Sequence, residues 1–181
     1  MNQKKILLIN GSASQTSSNH QLIQLVASGL QSEFEVVVYE RLKSLPHFDP
    51  DQSIHNPPPA IQEFRDLVQN ADGIIISTPE YIFTIPSGLK NALEWSIATV
   101  VFEGKFTGII TASANGEKAH EDLQLILKTA MANLTDSTTL LIQGISGKLD
   151  QAGQLSHLES RNQLDAFLNW SIPGSSGQSE G

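Results

Sequence analysis

The sequence predicts an α/β protein: a doubly wound sandwich in which a five-stranded parallel sheet carries helices on both faces. Three observations predict it. Short, largely β-branched apolar runs alternate with longer stretches whose apolar residues recur at helical spacing. The short runs are continuous rather than alternating, as in strands buried on both faces. Prolines and capping Ser or Asn residues stand where one kind of segment gives way to the other.

Residues 6–9 (ILLI) read as the first strand, and Leu22, Ile23, Val26 and Leu30 share a helix face after Asn19. Residues 36–39 form the second strand. A long connection, 41–56, follows and is expected to pack over one sheet edge. Pro57, Pro58 and Pro59 open a helix carrying Ile61, Phe64, Leu67 and Val68, before strand 73–77. Pro86 and Ser87 open the next, with Leu89, Ala92, Leu93 and Ile97 at helical spacing, before strand 107–111. Gly116 precedes a helix with Leu123, Ile126, Leu127 and Met131; strand 138–142 follows. The last helix carries Leu155, Leu158, Leu164, Phe167 and Leu168. Residues 1–172 read as a single domain, and the Gly- and Ser-rich residues 173–181 as a disordered tail. Right-handed crossovers and the count of five favour the flavodoxin-like strand order 2-1-3-4-5 over a six-stranded dinucleotide fold.

Composition narrows the partners. The chain has 181 residues, 39% hydrophobic and 17% charged, which is a globular composition. A net charge of −8 opposes nucleic acid and anionic membranes, both of which call for a basic face. No apolar run approaches the roughly 20 residues of a membrane span. With no cysteine there is neither disulfide nor thiolate chemistry, and a cytoplasmic location is expected. The five histidines show no metal-ligand spacing, so no metal is expected. The absence of G-x-S-x-G argues against a hydrolase.

In this topology ligands bind beyond the carboxyl ends of the strands, between strands 1 and 3. The flanking loops are the two most distinctive stretches. The first, GSASQTSSN at 11–19, offers Ser12, Ser14, Ser17, Ser18 and Asn19 just before a helix, with no Lys or Arg between Lys5 and Arg41. Neither a Walker motif nor G-x-G-x-x-G is present. Hydroxyls and a helix N-terminus suit one terminal phosphate; read alone, the loop is equally a polar turn that caps the helix. The second, PEYIFTIPSGLKNALEW at 79–95, places Pro79, Glu80, Tyr81, Ile82 and Phe83 as one wall of a pocket for a planar ring. Glu80 reads as a brace for its loop as readily as a catalytic group. Trp95 reads as a core residue, and Lys90 and Asn91 as structural. Asp49 and Asp51 read as solvated loop carboxylates.

These residues resemble the NADPH-dependent FMN reductase family of the flavodoxin-like superfamily, whose relatives include quinone, azo-dye and chromate reductases. The pattern P-E-Y-x-x-x-x-P-x-x-L-K-N-A-x-[DE]-W matches from Pro79 to Trp95, and G-S-x-R-x-x-S-x-N matches at Gly11, Ser12, Ser17 and Asn19. The resemblance implies FMN, its phosphate on the first loop and its ring against the second, with Ser113 and Gly116 of a third loop at the ring's outer side. It implies electron transfer from NADPH or NADH to a quinone, a flavin or a similar small acceptor, with chemistry borne by the flavin rather than by a catalytic side chain. It also implies a homodimer or tetramer. Leu89, Leu93, Trp95 and Ile97, more apolar than one buried stripe requires, point to an interface near residues 87–99. Ser14 stands where the family usually has arginine, and Ile82-Phe83 where Asn and a polar residue are commoner. Two alternatives follow: an electron carrier without NAD(P)H turnover, and a domain that has lost FMN.

Overall fold

The computed structural model describes residues 3–14 and 16–169. Five parallel strands run β1 Lys5–Asn10, β2 Glu35–Tyr39, β3 Gly73–Thr78, β4 Phe106–Ser113 and β5 Thr139–Gln143, in the order β2-β1-β3-β4-β5. This is the expected order. The helices are α1 Ser18–Leu30, α2 Pro50–Ser53, α3 Pro59–Asn70, α4 Ser87–Ile97, α5 Glu117–Thr129 and α6 Leu158–Leu168. The tail expected from residue 173 lies outside the described residues.

Continuous apolar strands serve two cores because successive side chains point to opposite faces. Leu7, Ile9, Ile74, Ile76 and Ile109 pack with Phe64 of α3, Leu89 and Trp95 of α4, and Leu123 and Leu127 of α5. Ile6, Leu8, Ile75, Ile110 and Ala112 pack with Leu22, Ile23 and Val26 of α1 and Phe167 of α6. α1 therefore covers one face and α4 the other. The chain leaves β1 and β3, which are neighbours, toward opposite faces, and this parting opens the crevice at the strand ends. Among the described residues no helix is long and apolar enough to cross a membrane.

Four expectations are corrected. The connection after β2 docks on α4 instead of the sheet edge: Leu42 and Leu45 join the core, and Trp95 Nε1 donates to the Pro46 carbonyl at 2.9 Å. Asn91 of α4 holds the same segment, accepting from Phe48 N and donating to Pro46 O. Asp49 is no free loop carboxylate; it caps the short α2, accepting from Asp51 N at 2.9 Å. Leu155 lies before α6, bridged to Leu149, and Leu158 is exposed. Met131 falls past the end of α5 in a left-handed conformation, also exposed. The first two turn on polar anchors and the last two on where a helix begins or ends, none of which the spacing of apolar residues registers.

Buried Arg65 of α3 ties this half together, donating from Nε to the Trp95 carbonyl at 3.1 Å and from Nη2 to the Ser53 carbonyl at 2.9 Å. Its guanidinium pKa is lowered by burial.

Candidate functional site

The first loop, residues 11–17, is closed by its own hydroxyls. Ser17 caps α1, its Oγ accepting from His20 N at 3.2 Å while donating to the Ser14 carbonyl at 3.0 Å. Ser12 Oγ lies 3.0 Å from Ser17 Oγ and accepts from Ser14 N at 3.2 Å. Asn10 at the end of β1 steadies the base by accepting from Ser12 N at 3.0 Å. Its amide donates to Glu40 Oε1, which also lies 2.9 Å from His20 Nδ1 without alignment as a hydrogen bond. A side chain at Gly11 would put Cβ 2.8 Å from Thr78 Oγ1 and 3.0 Å from the Ser77 carbonyl. Glycine therefore lets the loop ride against the end of β3, where its N–H donates to Ser77 O at 2.7 Å.

Asn19 departs from its expected place. Its side chain is 3% exposed and turns into the sheet, donating to the Ala112 carbonyl at 2.8 Å and accepting from Ser77 Oγ. The side chain locks α1 onto β3 and β4. Its backbone N–H stays in the first turn of α1, where helix geometry provides no intrahelical partner.

The second loop is rigid for a reason the two prolines did not reveal. Tyr81 and Thr84 exchange backbone hydrogen bonds of 2.9 and 3.2 Å around Ile82 and Phe83, whose φ angles are 50° and 60°. Two consecutive positive φ values across a two-residue hairpin turn mark type I′ geometry. For non-glycine residues this costs on the order of 1–3 kcal/mol each, and β-branched Ile82 fits it poorly. The loop is braced from α5. Glu80 Oε2 accepts from Ala119 N at 3.0 Å, and Thr84 Oγ1 donates to Asp122 Oδ2 at 2.8 Å. Gly116, the N-cap of α5 with φ 89°, has no side chain to cap with, so Glu80 supplies the cap from another loop. This is the bracing reading of Glu80.

In the third loop, Ser113 ends β4 half-buried, while Gly116 is buried; a side chain at 116 would meet Leu141, Thr111 and Ser113 within 3.4 Å. Gln143 Nε2 donates to Asn115 Oδ1 at 2.8 Å, tying the loop to β5. One turn further, His120 Nδ1 lies 2.9 Å from Thr111 Oγ1, and burial pulls the imidazole pKa down against a weaker upward push from Glu121.

Loops one and two share a cavity of about 280 Å³ lined by Gly11, Ser12, Ala13, Tyr81 and Pro86, with Glu40, Lys43 and His47 from the connection after β2. Of the predicted residues, the structure brings together the Ser12–Ser14–Ser17 hydroxyl set and lines the cavity with Ser12 and Tyr81. It leaves Ile82 and Phe83 in solvent and moves the Asn19 side chain away. Sequence reasoning missed Asn10, Glu40 and Asp122. Asn10 carried a signal, being the polar residue that ends an apolar strand; Glu40 and Asp122 carried none, because only tertiary contact makes them partners. Among the described residues no group of three or more His, Asp or Glu could hold a metal.

The sequence matches the NADPH-dependent FMN reductase family over residues 4–145. The chain belongs to that family. It is 31% identical to NADH-dependent flavin reductase subunit 2 of Lactobacillus johnsonii over 91% of this chain and 94% of that protein. It is 32% identical to the NADH:(hydroxy)cinnamate reductase subunit CrdA of Vibrio ruber over 90% of this chain and 82% of the relative. In fold it matches FerB, a flavoenzyme NAD(P)H:(acceptor) oxidoreductase of Paracoccus denitrificans, with TM-score 0.80 and 22% identity over 95% and 98% of the two chains. Among NADPH-dependent FMN reductases this chain thus keeps the fold, with a charge-free first loop and an apolar turn in the second.

Proposed function

We propose that the protein is an FMN-dependent oxidoreductase that takes electrons from NADPH or NADH, in the cytoplasm where those nucleotides are, and delivers them to a quinone, a flavin or a similar small acceptor. One observation carries the reading: a hydroxyl-lined helix N-terminus faces a braced, preset loop across the switch point of a flavodoxin-like sheet. The donor set fits a terminal phosphate. Ser12, Ser14 and Ser17 offer hydroxyls, Ser18 and Asn19 offer backbone N–H groups, and the α1 dipole stands in for the missing arginine. Pro79, Glu80, Tyr81, Ile82 and Phe83 would meet the ring, with Ser113 and Gly116 at its outer side. Bound FMN supplies hydride acceptance and electron delivery. The chain's part is to position and to exclude. Glu80 is spent on capping α5, so its role is to hold the loop rather than to move a proton.

Purified protein should bind FMN one per chain, and its absorbance should bleach anaerobically with NADPH or NADH. A flavin left oxidised by both nucleotides would sink this reading in favour of an electron carrier, which the net charge of −8 would suit by docking to basic partners. Protein that takes up no added FMN would mark a domain that has lost it.

Assembly as a homodimer or tetramer belongs to the same reading, on narrower ground than the sequence implied. Leu89, Leu93 and Trp95 are consumed by the chain's own core, leaving Ile97 and Val100, 49% and 63% exposed, as the apolar surface near α4. That two relatives are named as subunits also supports association with another chain. Light scattering showing only monomer at micromolar concentration would end it.

A further inference from the structure

The turn at residues 82–83 has side chains that its backbone disfavours. Type I′ turns favour Asn-Gly, which tolerates positive φ. Here Ile82 and Phe83 adopt φ 50° and 60° while remaining 91% and 73% exposed. No burial within this chain offsets the strain. The conformation is imposed from outside, through the Tyr81–Thr84 exchange and the two bonds to α5. A strained turn that holds a branched aliphatic chain and an aromatic ring out in water marks surface prepared for a contact.

Its position and its charge identify the contact. Tyr81, the residue before the turn, lines the cavity shared with Gly11, Ser12 and Ala13, so the turn stands at the mouth of the crevice. Glu80 is the one charged residue between 79 and 89, and its carboxylate is engaged on Ala119 N. The turn itself offers apolar and ring contact to a neutral planar molecule and carries no cation for a sulfonate, the cavity's Lys43 and His47 belonging to the connection after β2.

We infer that Ile82 and Phe83, besides bordering the flavin ring, are specificity-determining residues, a preset apolar rim that selects uncharged, planar, lipophilic electron acceptors over charged ones. The inference rests on the oxidoreductase reading above. The reaction followed is NAD(P)H plus a proton plus quinone, giving NAD(P)⁺ and hydroquinone.

The double variant Ile82→Asn/Phe83→Gly gives the turn the residues its backbone prefers. Without cofactor it should melt above the wild type, because strain is relieved. With saturating FMN, the ratio of kcat/KM for naphthoquinone to that for naphthoquinone sulfonate should fall about tenfold, the scale of a lost apolar contact in a substrate pocket. An unchanged ratio, or an equal loss on both acceptors, overturns the inference, as does a variant that melts no higher than the wild type. So does a variant that scatters as monomer where the wild type is a dimer, since the rim then belongs to a subunit contact. A wild type that oxidises no NAD(P)H with either acceptor defeats the underlying reading and this one with it; turnover with an unmoved ratio defeats this one alone.

Discussion

The two loops that face each other across the crevice are stiffened in opposite ways. Residues 11–17 are held mainly by hydroxyl bonds between Ser12, Ser14 and Ser17, neighbours in sequence. Residues 79–86 are held by Glu80 and Thr84 reaching α5, 38 or 39 residues away. Such hydroxyl bonds, two of them shared with the Ser14 backbone, can be exchanged for bonds to a ligand's oxygens at little net cost. The first loop can therefore rearrange around an anion. The second is fixed beforehand, strain included, and whatever binds must fit it. One wall adapts and the other selects.

The largest expected effect tests the adaptable wall. Ser17→Asp would set a carboxylate within about 4 Å of the proposed phosphate, where unit charges repel by about 1 kcal/mol in water and about 4 at an intermediate dielectric. Losing a hydroxyl contact adds roughly 1 kcal/mol. FMN affinity should fall about 10² to 10³-fold by titration. Aspartate is also a good N-cap, so the melting temperature of the cofactor-free protein should hold or rise slightly. Unchanged affinity would mean that the loop does not hold the phosphate.

Next in size is the seam between the walls. Gly11→Ala forces Cβ against Thr78 and the Ser77 carbonyl, where backbone cannot give way cheaply. It should cost about 1–3 kcal/mol in chemical denaturation. A neutral result would show that the two loops are not rigidly apposed.

Glu80→Ala should cost about 1 kcal/mol, since it strips α5 of the acceptor at its N-terminus. Glu80→Gln, which keeps a carbonyl oxygen there, should recover most of it. Equal losses in both would show that the charge, not the hydrogen bond, braces the selecting wall.

The smallest effect concerns pH. Burial holds the folded pKa of His120 below the ordinary value of 6.5, so the unfolded chain takes up the proton first. Its contribution to stability is therefore complete above about pH 6.5 and lost as pH falls below that toward the folded pKa. His120→Gln should flatten the decline in melting temperature on acidification through this range, relative to wild type. Parallel curves would remove His120 as the cause.

Much of the molecule was already legible in the residues. Continuous apolar runs at 6–9, 73–77 and 107–111 read as two-faced strands because a parallel sheet must be covered on both sides, and the strand order followed from their count. That the 11–19 loop could cap the following helix was legible, because capping is local chemistry; that Ser17 is the cap came from the structure. What only the tertiary structure decided were partners distant in sequence. Packing placed the Asn19 side chain on the Ala112 carbonyl; the N-terminus of α5, with its glycine cap, gave the Glu80 carboxylate a partner; the connection after β2 found α4 through Asn91 and Trp95. The left-handed turn at Ile82-Phe83 was least legible of all. Local preference would have placed Asn-Gly there, and the Tyr81–Thr84 exchange together with contacts from α5 holds the backbone against it. Sequence fixes what a residue can offer its neighbours along the chain, whereas burial and long-range hydrogen bonds determine which offer is taken up.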